Sequence, residues 1–111
     1  TIPAADLAKL TQKAKDDIKN RFPDQNCTLE KTVLYIYDGT RYNNSVVYFF
    51  KGTESYYAIW HDNLKQNSDH SIVDIDELRM DTNAWYMAYG SLAEAEQDML
   101  KPVKQFTFSA F

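Results

Sequence analysis

The chain has 111 residues, the size of one domain with one core, and an aromatic content of 14% with only three glycines and three prolines argues against disorder. A formal net charge of −4 counts against binding to nucleic acid or to an anionic membrane surface, and the uncharged stretch Asn83 to Ala93, broken by Asn, Gly and Ser, falls far short of the ~20 apolar residues of a membrane span. Cys27 is the one cysteine, so no intramolecular disulfide can form; the expected setting is the cytoplasm, although a cleaved leader before Thr1 would leave no trace.

Pro3 suits the first turn of a helix, Asp6 complements its positive end, and Leu7, Leu10, Ala14 and Ile18 recur at helical spacing. An amphipathic helix is predicted over residues 3–21. Lys13, Lys15, Lys19 and Arg21 favour its negative end, and Phe22-Pro23 stops it. From Thr32 the period becomes two: Val33, Tyr35 and Tyr37 alternate with Leu34 and Ile36 before an Asp38-Gly39 turn. Residues 46–50 and 56–61 repeat that alternation and complete a meander. Phe49 and Trp60, central in these runs, are expected in the core, with their opposite phases leaving open which of them faces the helix. Large side chains occupy both phases, so one helix on one face would leave aromatic surface over.

Residues 62–71 read as a polar loop, Ser71 to Asp76 as a further strand, Glu77 to Asn83 as a helical turn or wide connection, and Ala84 to Tyr89 as a fifth strand. Ser91 and Glu94 form an S-x-x-E capping box for a second helix over about 92–101, stopped by Pro102. Phe106, Phe108 and Phe111 keep strand-like spacing, consistent with a tail that adds an edge strand or covers the core. The expected fold is α+β: an N-terminal amphipathic helix packed on an antiparallel meander of about five strands, with a short helix near the C-terminus, in one domain spanning residues 1–111.

No constellation reaches a named chemistry. His61, Asp62, Asp69, His70, Asp74 and Asp76 include metal-ligand types but match no ligand spacing, and Asp74, Asp76 and Glu77 could pair carboxylates only if a cleft accompanied them. Cys27 with His61 or His70 lacks an oxyanion element, and the isolated Gly39, Gly52 and Gly90 form no phosphate loop. The sequence is therefore expected to carry no catalytic residue, no metal site and no cofactor.

Charge placement is the strongest signal. Residues 1–31 hold six basic and five acidic side chains, whereas residues 62–81 hold six acidic and two basic ones, a local balance equal to the whole net charge. A solvated face is the plain reading; a docking surface for a basic protein is the sharper one. In size, acidity and aromatic content the chain resembles bacterial immunity proteins, a resemblance of type that covers no alignable motif. It implies a non-enzymatic inhibitor, monomeric or homodimeric, that neutralises a basic toxin or nuclease. Asp62, Asp69, Asp74, Asp76, Glu77 and Asp81 would then oppose Lys or Arg of that partner, with Tyr42, Tyr57 and Trp60 as anchors. Two alternatives stand beside it: an effector-binding secretion chaperone, and a cone-shaped helix-on-curved-sheet domain whose concave face holds a small ligand or an active site.

Overall fold

The computed structural model describes residues 2–36, 44–80 and 84–99. Helix α1, Ala4–Arg21, starts where the Leu7 N–H reaches the carbonyl of Pro3 at 3.0 Å and closes with the Phe22 N–H on the carbonyl of Ile18 at 2.9 Å. Leu10, Ala14 and Ile18, four residues apart, form its buried stripe. Pro3 stands one residue outside the helix, where its fixed φ and missing N–H cost nothing.

Four strands follow in an antiparallel sheet of order β1-β2-β3-β4: β1 Thr28–Ile36, β2 Asn44–Lys51, β3 Tyr56–Leu64 and β4 Ala84–Tyr89. The expected strand over Ser71 to Asp76 does not form, so among the described residues the sheet has four strands and not five. Ile72 and Ile75 are both buried, a spacing of three that an extended chain cannot direct to one side, while Asp74 between them adopts φ 52° and starts a 3₁₀ turn, Ile75–Glu77. Asp tolerates that left-handed backbone better than most residues. All that remains of pairing there is an isolated bridge from Gln66 to Ile72.

Two irregularities set which face each strand presents. The β1–β2 register shifts between Leu29 and Lys31, so Leu29 pairs with Phe50 on one face whereas Lys31 and Val33 pair with Phe49 and Val47 on the other. The β2–β3 register shifts again beyond Val46, where one extra residue in β3 returns Leu64 to the face of His61. Beneath α1, the buried core therefore gathers Val46, Tyr48, Phe50, Tyr57, Ile59 and Leu64, with Leu29 packed against it.

Helix α2, Leu92–Met99, covers the opposite face and buries Ala95 and Met99 against Val47, Phe49 and Ala58. Residues 46–50 of β2 are all buried, each worth roughly 1.5–3 kcal/mol of apolar transfer for its large side chain. Phe49 and Trp60 lie on this same second face, because antiparallel pairing sets Phe49 beside Ala58 and Val47 beside Trp60. Much of the aromatic surplus is thereby absorbed between two helices. Half of the predicted capping box is present: Ser91 Oγ accepts from the Glu94 N–H at 3.1 Å, whereas the Glu94 carboxylate reaches past the cap residue and accepts from the N–H of Gly90 at 3.2 Å. The Asp38-Gly39 turn and the C-terminal Phe spacing lie outside the described residues.

Candidate binding surface

The acidic segment winds over the first half of α1 after β3 ends at Leu64, three residues later than the polar composition suggests. Ile72 and Ile75 are its pegs into the core. Asp6 of α1 accepts the Ile72 N–H at 2.7 Å, and Lys13 Nζ donates to the carbonyls of Asp76 and Leu78 at 3.2 and 3.0 Å. Two charges that look like ordinary helix-end residues in the sequence thus brace the segment. Lys9 adds an exposed ion pair to Asp76 at 3.4 Å, an interaction of little energetic weight.

Inside the segment, short-range hydrogen bonds replace regular structure. The Asp69 carboxylate accepts from both the N–H and the hydroxyl of Ser71, at 3.0 and 2.5 Å, and those bonds, the hydroxyl first, hold it below the usual carboxylate range. The Asn67 N–H reaches the carbonyl of Ser71 at 2.8 Å, and the Val73 N–H reaches that of Lys65 at 3.0 Å. Asp69, Asp74, Asp76 and Glu77 are all exposed, and among them stands Val73, which with Met87 is one of two exposed large apolar side chains among the described residues.

The other expected site residues scatter. Asp62 belongs to β3 and its side chain is outside the described set, as are Asp81 and Tyr42 altogether. Tyr57 is only 8% exposed and stacks on Phe22 with centroids 4.2 Å apart, so it serves the core and is not presented as a surface anchor. Trp60 is half-buried on the α2 face, the opposite side of the sheet from α1 and the acidic segment, and its Nε1 is buried with no hydrogen-bond partner among the described residues. Val73 is the surface residue that sequence reasoning passed over; its signal is the Ile72/Ile75 pair, which buries both neighbours in the apolar count and turns Val73 outward.

Among the described residues no group of three or more His, Cys, Asp or Glu side chains is placed to hold a metal ion. Cys27 and His61 stand at opposite ends of the sheet: Thr28, next to the thiol, pairs with Lys51, whereas His61 pairs with Val46, five residues or roughly 17 Å along β2. Burial pushes the Cys27 thiol up, away from the reactive thiolate. A groove of about 540 Å³ runs between the outer flank of α1 and the start of β1, with Lys15 and Lys19 at its rim and Phe22, Leu29 and Phe50 along its floor. No described helix is long and apolar enough to cross a membrane. Comparison with protein-family models, with curated proteins and with solved structures finds no match for this chain.

Proposed function

We propose that this chain is a non-enzymatic, acidic protein-binding domain, an inhibitor of the immunity type that docks a basic toxin or nuclease through residues 69–77. Its setting in this reading is the cytoplasm of a bacterial cell. One observation carries it: Val73 projects among four exposed carboxylates on a segment braced to α1 by Asp6 and Lys13. An apolar contact ringed by charge, held in place before the partner arrives, suits an interface that desolvates a centre and steers with its rim. The cone-shaped alternative asks for an open concave face, and the buried run Val46 to Phe50 beneath two helices favours the binding reading over it.

The test separates the two parts of the surface. Once a basic partner has been captured from the source cell at low salt and identified, the variant Asp69→Asn/Asp74→Asn/Asp76→Asn is expected to keep its melting temperature, because exposed charges contribute little to stability. Its association rate should fall and lose salt dependence, since attraction between opposite charges is screened over about 8 Å at physiological ionic strength. Val73→Ala should instead raise the dissociation rate. Parental association kinetics for the triple variant at low salt would reduce the acidic segment to a solvated face.

A further inference from the structure

The two edges of the sheet are built differently. Edge strand β1 opens with Thr28, Glu30, Lys31 and Thr32 exposed and carries a bulge between Leu29 and Lys31, the devices that keep an edge from pairing with another chain. Edge strand β4 reads Ala-Trp-Tyr-Met-Ala-Tyr, with no charge, no Gly and no Pro, and pairs with β3 over six consecutive positions without a register shift. Its outer row of backbone N–H and C=O groups has no partner among the described residues. Met87 on this strand is 49% exposed, the most exposed large apolar side chain among those described, and Ala88 is exposed beside it. Along the same edge opens an apolar hollow of about 210 Å³ lined by Phe22, Tyr57, Tyr86, Met87 and Ala88.

We propose that β4 is a self-association edge, and that its occupant is β4 of a second copy, added antiparallel about a two-fold axis normal to the sheet to give one continuous eight-stranded sheet. Antiparallel pairing of a strand with itself is self-complementary, so both hollows are covered in the same act. Charge selects the second copy: at a net −4 the chains repel across their acidic surfaces, whereas β4 is neutral and Arg21 beside it is already paired with Asp17 at 3.0 Å. A basic partner finds nothing on this edge to attract it. Head-to-tail pairing of β4 with β1 would propagate into an open filament, and the charged, bulged β1 opposes it. Assembly therefore closes at two. The inference is independent of the proposed acidic docking surface, which covers the first half of α1, while Tyr86 of β4 grips its last turns through Asp17 and Arg21.

Sedimentation equilibrium on the full chain, from low micromolar to several hundred micromolar, is expected to show a monomer–dimer equilibrium. The amides of β4 should gain hydrogen-exchange protection as concentration rises. Met87→Lys and Ala88→Lys each place like charges across the two-fold axis and should weaken the dimer about tenfold or more while leaving the circular dichroism unchanged; Ala88→Lys decides the matter if Met87→Lys disturbs folding. Glu30→Lys on the other edge should leave the dimer intact. A monomer throughout the range, a dimer indifferent to both β4 substitutions, or a dimer lost with Glu30→Lys would each overturn the proposal.

Discussion

The two faces of the sheet are covered by unequal means. Under α1, eighteen residues of helix and the segment 64–80 close over the sheet, and polar bonds cross the interface: Thr11 to the Tyr48 hydroxyl at 3.0 Å, Asp17 to the Tyr86 hydroxyl, Arg21 stacked over the Tyr86 ring at 3.8 Å. Under α2, a helix of eight residues buries Ala95 and Met99, and its polar ties, Tyr89 to Asp98 at 2.5 Å and Lys31 to Glu96 at 3.4 Å, lie at the surface. A helix that short has almost no stability of its own, so its order depends on packing and its cap. The α2 face is therefore expected to be the side that opens at lower cost.

The largest test of that ranking is a pair of cavities back to back on β2. Phe50→Ala removes a ring walled in by α1, which Asp6, Lys13 and Thr11 hold to the rest of the molecule, and should cost about 4–5 kcal/mol in urea denaturation. Phe49→Ala should cost nearer 3 kcal/mol, because α2 can settle toward the smaller side chain and refill part of the void. If Phe49→Ala proves as costly as Phe50→Ala, or more so, the two faces are equally rigid and the ranking fails.

Much of the α1 face is legible in the amino-acid sequence. The period of Leu7, Leu10, Ala14 and Ile18 and the alternation in three strands are local signals, and each strand's inward residues follow once one neighbour is known. What stays hidden are features defined by a partner strand. An extra residue near Glu30 and another after His61 look like ordinary positions until the register exposes them, and both redirect a leucine. The extended reading of Ser71 to Asp76 fails because apolar residues three apart in a loop can be buried by a left-handed residue such as Asp74. For the candidate surface, the charge of residues 62–81 is visible in the sequence, but exposure is not: Tyr57 and Val73 exchange the roles that residue type alone would give them.

An intermediate effect probes the α1 face by pH. Burial pushes the Tyr48 hydroxyl up to about 12, from an ordinary value near 10 in the unfolded chain. The unfolded state therefore releases this proton first, so the contribution of Tyr48 to stability is complete below pH 10 and is lost as pH rises toward 12. Tyr48→Phe should cost about 1 kcal/mol at neutral pH by stranding Thr11, and should flatten the alkaline fall of stability measured by urea melts as pH rises from about 9 to about 12. Tyr86 on the same face, raised by burial and by Asp17, and Tyr89 on the α2 face, raised by burial and by Asp98, retain part of that fall, so the variant's curve becomes shallower but not level. An alkaline limb identical to the parent's would place the Tyr48 hydroxyl in water and remove it from the α1 interface.

The smallest effect belongs to the end of α2. Ser91 Oγ satisfies one of the first N–H groups of the helix, that of Glu94, and Ala at this position would leave that donor to water. The global cost of Ser91→Ala should be about 0.5–1 kcal/mol, near the low end for a lost cap because the Glu94 carboxylate can keep its own bond to the Gly90 N–H. Its local signature decides more. Amides of α2 should exchange faster in the variant, whereas those of β2 and of α1 near Leu10 and Ile18 should slow or speed only with the global change, because the α1 face does not depend on this turn. Uniform acceleration across both helices would mean that α2 and α1 open together, and the unequal faces would then behave as one cooperative unit.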